Sequence, residues 1–230
     1  MKKLYAIFFL LSFVFTSCNL FELNKPVIQT NGLTQDINSL VPQSILDQMT
    51  SLGMVINTGN TPPNLGIGST GTFFKATPFV LKNTNITNDY AIGYTFADFY
   101  VKYYDQDNST LKLKVDYKNG PETGTGLGGL LVGKNNTFTV FAKISATNSG
   151  TNADIIQVVS GTLTSSGIKD LYFANFMLND YGDPKNVWMA NGQGRVLYDS
   201  DGNSPIVSSF SDVQVQKVSG LSAGSSFKLF

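Results

Sequence analysis

Leu111-Lys112-Leu113-Lys114-Val115-Asp116-Tyr117-Lys118 alternates strictly between apolar and charged side chains. Successive side chains of an extended chain point to opposite faces, so this segment is a strand with one buried and one wet face. The same reading extends outwards from Gly71 to Asp199. Strands are expected over 72–82, 94–105, 110–118, 123–132, 137–146, 154–163, 169–179 and 187–199. Turn signals separate them: Asp107-Asn108, Asn119-Gly120, Asn135-Asn136, Asn148-Ser149-Gly150, Ser166-Gly167 and Tyr181-Gly182-Asp183-Pro184. Such short links favour antiparallel neighbours, because parallel pairs need long crossovers. The expected fold is all-β, an antiparallel up-and-down meander of about eight strands. An open meander leaves two exposed edges and closure into a barrel removes them, so a barrel is preferred and a two-sheet sandwich is the alternative.

Some of these strands are apolar on both faces. Ile155, Ile156, Val158 and Val159 form one such run, and Leu171, Tyr172, Phe173, Phe176, Met177 and Leu178 another. They need cover outside the sheet as well as within. One short amphipathic helix is expected before the strands, with Ile45, Leu46, Met49 and Leu52 on one face, Pro42 at its first position and Gly53 just past its end. It and the Val213-Gln214-Val215 segment are the available covers. Residues 57–69, with Pro62-Pro63 and repeated glycine, read as a linker. The domain plan is therefore a leader over 1–18, a tether, helix and linker over 19–70, the barrel over 71–205, and a C-terminal extension packing on it over 206–230.

The leader has Lys2 and Lys3 ahead of an apolar run from Leu4 to Phe15, too short for a permanent span of about 20 residues. Phe15-Thr16-Ser17-Cys18 follows, and this stretch resembles the lipobox of bacterial lipoproteins, in its looser form because Phe15 replaces the usual Leu. The resemblance implies a signal peptide cleaved before Cys18 and a lipid anchor on its thiol, which would account for the only Cys in the chain. Asn19 follows, rather than the Asp that often retains lipoproteins at the inner membrane. The resemblance thus implies an outer-membrane location, with the periplasmic face favoured over the cell surface.

A second resemblance is to the lipocalin/calycin group, in which an eight-stranded barrel holds small apolar ligands. Gly71-Thr72-Phe73 stands where that group carries Gly-x-Trp, with Phe in place of Trp. Arg195, the only Arg, lies on the last expected strand, where the group often places an Arg over that aromatic. The resemblance implies that Arg195 packs on the Phe73 ring. The later Thr-Asp-Tyr element of the group is missing.

Chemistry is sparse. Sixteen basic residues balance sixteen acidic ones, which gives no footprint for nucleic acid. The chain has no His, so neither a Ser-His-Asp triad nor an imidazole metal site can be built from it. Gly124, Gly126 and Gly129 fit a dinucleotide-loop spacing, and 128–135 nearly fits a phosphate loop. Neither opens a helix, which both require, so they read as strand glycines. Asp199-Ser200-Asp201-Gly202-Asn203 is similar to a calcium loop, but Phe210 stands at the position of its closing Glu; the stretch reads as a turn at Asp201-Gly202. Asp180 and Asp183 read as solvated loop carboxylates, and Asp98 as either a buried orienting group or a surface one. No catalytic residue, metal site or cofactor is expected.

The remaining candidates are aromatic. Tyr94, Phe96, Tyr100 and Tyr104 are expected on one strand face, Tyr172 and Phe176 on another, with Trp188 and Tyr198 on the last strand. Of these Tyr94, Phe96, Tyr100, Tyr172, Phe176, Trp188 and Tyr198 are candidate ligand-binding residues, with core packing as the plainer alternative. The expected function is non-catalytic binding of a small hydrophobic or glycan-like ligand by a lipid-anchored envelope protein. The alternative is an accessory protein that binds an envelope partner through the barrel exterior.

Overall fold

A computed structural model describes residues 25–210. The leader, Cys18, the first part of the tether and the Val213-Gln214-Val215 segment lie outside the described residues. Two helices, α1 (Gln35–Leu40) and α2 (Gln43–Ser51), precede the strands β1 (Asn60–Thr61), β2 (Thr72–Ala76), β3 (Phe79–Thr84), β4 (Thr95–Phe96), β5 (Phe99–Asp107), β6 (Lys112–Asn119), β7 (Glu122–Lys134), β8 (Thr137–Asn148), β9 (Thr151–Leu163), β10 (Gly167–Asn179), β11 (Gly194–Asp199) and β12 (Asn203–Val207).

The strands form one sheet, not the two of a sandwich, in the order β12-β2-β5-β6-β7-β8-β9-β10-β11-β3-β4. Every pairing among them is antiparallel except β1 on β7. β12 pairs with both β2 and β10, which brings the path back towards its start. The joint is short, three residue pairs on one side and two on the other, so the sheet is partly ringed without being a regular barrel. It is strongly curled all the same. Tyr103 on β5 and Phe138 on β8 are three strands apart, about 14 Å on a flat sheet, yet their ring centroids are 6.3 Å apart. Phe99 on β5 lies 4.9 Å from Phe173 on β10.

Three expected strands are interrupted. Pro78, which has no N–H to give a ladder, separates β2 from β3. Ala97-Asp98 separates β4 from β5. The last expected strand begins later than its predicted start: 187–193 is loop, and the strand direction resumes through β11 and β12 as far as Val207. The Asp199 carboxylate, 2% exposed, ties the first of these breaks to the start of β12. Its Oδ2 accepts from the Thr77 N–H at 3.3 Å and from the Ser204 hydroxyl at 2.6 Å. Burial raises its pKa. Beyond it the expected turn forms, with the Gly202 N–H donating to the Asp199 carbonyl.

The glycines of β7 belong to a sheet wall, as their sequence context implies. A Cβ at Gly124 would lie 2.3 Å from the Tyr117 ring, Gly126 has φ +65°, and the register slips opposite Val115 and Tyr117. This is a bulge that lets the strand bend over an aromatic side chain.

One inner core gathers Phe74, Phe79, Phe99, Val101, Leu113, Val115, Leu131, Val140, Val159, Phe173 and Leu197 from around the ring. A second lies outside it, where Ile37, Ile45, Leu46 and Met49 cover Val132, Phe141, Ile156, Val158, Ala174, Phe176 and Val196. This is why β9 and β10 are apolar on both faces. Burial of each such helix side chain contributes at most about 1.5–3 kcal/mol. Two helices do this where one was expected, and Pro42 caps α2 rather than starting it. α1 is too short to show a clear period; its signal is Thr34, whose Oγ1 accepts from the Ile37 N–H at 3.3 Å. Thr34→Ala is expected to cost about 1 kcal/mol, and Thr34→Ser far less. Urea unfolding reads both, and equal midpoints for Ala and wild type would deny the cap its role.

Residues 57–69 are a strap and not a free linker. Asn57 bonds to Thr139 Oγ1 and to the Phe138 carbonyl, β1 pairs with β7, and Leu65 is buried in the inner core.

Candidate functional site

The inner wall carries a polar row. Asn175 on β10 is the register partner of Gln157 on β9 and of Arg195 on β11, so three polar residues stand side by side across adjacent strands. The apolar residues Val159, Phe173 and Leu197 lie two positions along the same strands and face the inner core. Tyr117 from β6 and Glu122, the first residue of β7, complete the ring of polar groups. Strand alternation makes this a single layer near one end of the curl.

Above that layer is a cavity of about 230 Å³ lined by Tyr117, Glu122, Ile144, Ala146, Ile155, Gln157, Asn175 and Trp188. Below it a space of about 30 Å³ lies among Phe79, Phe99, Phe173 and Leu197, with Tyr117, Glu122, Gln157 and Asn175 in its wall as well. The lower space is of one-water size, whereas the upper one is somewhat below the roughly 300–1,000 Å³ of pockets for drug-sized molecules. The site thus suits a small ligand held at the end of the curl, not a long chain threaded through its axis.

The hydrogen-bonding capacity of the wall is uneven. Asn175 is 4% exposed, and its Oδ1 has no partner among the described residues. No side chain among the described residues pairs with the Glu122 carboxylate; burial alone pushes its pKa up to about 7. Burial also pushes the Tyr117 phenol up to about 12, aided by the nearby Glu122 charge and opposed by the Gln157 amide. Two of the larger donor side chains are committed elsewhere. Trp188 Nε1 donates to the Thr151 carbonyl at 3.1 Å. Arg195 Nε donates to Asp89 at 2.8 and 3.0 Å, and its second guanidinium nitrogen donates to the same carboxylate. Two acceptors of the wall, Asn175 Oδ1 and the Glu122 carboxylate, are thus left without a side-chain partner among the described residues.

Arg195 lies over the rings of Tyr90 and Phe96, with centroid distances of 5.6 and 5.9 Å. The expected packing on Phe73 does not occur. Phe74 and Ala76 face the inner core, so Phe73, one position before Phe74, points outward, where it meets Phe210 and the Lys102 ammonium.

The aromatic candidates divide in the same way. Phe96 and Trp188 line the inner spaces. Tyr94, 39% exposed, stacks on Tyr90 beside Phe96 at the rim. Tyr100 and Tyr104 are on the outer face, because Phe99, Val101 and Tyr103 take the inner one. The break at Ala97-Asp98 resets the alternation, so the expected shared face of Tyr94, Phe96, Tyr100 and Tyr104 is not formed. Tyr172 and Tyr198 stack on each other outside, with the Lys82 ammonium over both. Phe176 faces outward too and is buried beneath the helices.

One loop acid differs from expectation, and Asp98 takes one of its two expected readings. Asp183 is no solvated bystander: it accepts the backbone N–H groups of Val187 and Trp188 at 3.0 and 2.7 Å and so positions the Trp188 ring. Asp98 is a surface group, paired with Lys75 at 2.9 Å and accepting from the Thr77 hydroxyl. A wider hollow of about 420 Å³ lies on the loop side of Trp188, but its acids Asp180 and Asp183 are taken up by backbone N–H groups of their own loop.

Glu122, Gln157, Asn175 and Tyr117 escaped the sequence reading. The available signal was a polar residue at an inward position of a strand apolar on both sides, as in Ile155-Ile156-Gln157-Val158-Val159. No family model matches the chain, and no curated protein and no solved structure matches it.

Proposed function

We propose that this chain is a lipid-anchored envelope protein that binds a small ligand, without catalysis, in the mouth of a lipocalin-like closed barrel. The anchor is Cys18, and the outer membrane, at its periplasmic face, is the proposed location. In this reading the short β12 joint is the seam that closes the barrel, with Asp199 tying the seam strands together. The observation that carries the reading is the Asn175 carbonyl, buried without a partner in the wall of a cavity. A buried polar atom left unsatisfied costs about 1–3 kcal/mol. A ligand that donates to it recovers that cost.

The reading is tested on the full chain extracted from its membrane and examined by native mass spectrometry. A co-purifying small molecule is expected. Ala146→Trp, which places an indole in the 230 Å³ cavity, is expected to lower its occupancy at least tenfold. A clean apo mass for both proteins would count against the reading. The accessory-protein alternative has less support, because the apolar outer face of β9 and β10 is already covered by the helices.

A further inference from the structure

The ligand's chemistry can be narrowed from the polar groups of the cavity. We propose that the cavity takes a small organic ammonium ion, whose N–H groups donate to Asn175 Oδ1 and to the Glu122 carboxylate while its apolar body lies against Trp188 and Ile155. The proposal rests on the binding reading above and goes beyond it by assigning the charge of the ligand.

Three observations carry it. Two acceptors in the cavity wall, Asn175 Oδ1 and the Glu122 carboxylate, have no side-chain partner among the described residues, and a ligand that donates satisfies both. The charges facing Glu122 sum to its own. Across the cavity the Arg195 guanidinium is neutralised by Asp89 in a bidentate pair, β6 presents only the neutral phenol of Tyr117, and β9 and β10 present the amides Gln157 and Asn175. Above about pH 7 an anionic ligand would therefore meet an unpaired carboxylate, which disfavours a fatty acid there. One side of the upper wall, Ile144, Ala146, Ile155 and Trp188, is apolar or aromatic, which suits an ammonium on a hydrocarbon body, with Thr147 and Asn148 also in the lining. The raised pKa of Glu122 fits as well. It marks a carboxylate desolvated without a cation, the condition that an incoming ammonium relieves.

Three nearly isosteric probes separate the possibilities by titration calorimetry on the full chain: benzylamine, benzyl alcohol and benzoate. At pH 8 benzylamine is expected to bind at least tenfold more tightly than benzyl alcohol, with benzoate weakest. At pH 6 Glu122 is mostly protonated in the free protein, whereas an alkylammonium stays charged, as Lys does up to about 10.4. Binding of benzylamine there should release close to one proton, read as a dependence of the heat on the buffer's ionisation enthalpy. Glu122→Gln should abolish the proton release and the preference over benzyl alcohol together. Asn175→Leu should weaken benzylamine but leave the proton release in place. Equal binding of benzylamine and benzyl alcohol, or tighter binding of benzoate, would overturn the ammonium assignment and leave the cavity as a binding site. If no probe binds, the assignment also falls. The co-purification experiment then decides separately whether the cavity binds anything.

Discussion

Asp89→Ala lowers the stability of the protein by about 3–5 kcal/mol, the range for removing one partner of a buried ion pair. The Asp89 side chain is 3% exposed and that of Arg195 13%, and the pair is bidentate. A guanidinium cannot shed its proton, so the variant leaves a fixed charge against Tyr90 and Phe96 with no counter-ion. The ring contacts, worth about 0.5–2 kcal/mol, do not offset that loss and are already present in the wild type. The double variant Asp89→Leu/Arg195→Met removes both charges and should return to within about 1 kcal/mol of wild type. Urea unfolding at pH 7 of the four proteins in the cycle measures this. A loss below about 1 kcal/mol for Asp89→Ala would mean that water already screens the pair. The pair also sets an acid limit. Burial pushes the Asp89 carboxyl up, but hydrogen bonds from Arg195 and Thr84 outweigh it and hold the pKa below its ordinary 3.8. Its contribution is therefore complete above that value and is lost as pH falls through the lower native one. Because Asp89 lies in the loop between β3 and β4, the same substitution unties that loop from the cavity mouth.

Glu122→Gln has the opposite sign and a different pH signature. The native carboxyl titrates at about 7, against an ordinary 4.5, because it is buried. Between those two values the native state holds a proton that the unfolded state has released, so wild-type stability falls as pH rises through the interval and levels off above it. The interval corresponds to about 3 kcal/mol at 1.36 kcal/mol per unit. Glutamine is neutral throughout. The variant should match wild type at pH 4 and exceed it by about 2–3 kcal/mol at pH 8. Parallel unfolding curves across that range would show that Glu122 is well hydrated in the folded protein. The ammonium assignment would then lose its supporting argument from desolvation. In the wall of a cavity, a side chain that lowers stability at neutral pH serves a ligand better than it serves the fold.

The succession of strands and turns was legible from local pattern. Leu111 to Lys118 alternates because one face of β6 is wet, and the runs around Ile155 and Phe173 do not alternate because α1 and α2 cover the other face of β9 and β10. Turn residues marked the links, and the two-faced strands announced that a cover existed. Two features were decided only by the tertiary structure. The first is which face of each strand looks inward. A single irregular step at Ala97-Asp98 reverses the alternation, so Phe96 and Phe99 both face inward while Tyr100 faces out. No local signal counts that step, and the pairing of Arg195 with Asp89 rather than Phe73 follows from the same geometry of faces. The second is the site itself. Glu122, Gln157 and Asn175 come from three strands and become one polar layer only when the sheet curls, because register places Asn175 beside Gln157 and curvature brings β7 across to them. The sequence by itself determines where the chain extends and where it turns. Burial, which raises the Glu122 pKa and leaves Asn175 Oδ1 without a partner among the described residues, depends on what lies opposite, and only the folded sheet decides that.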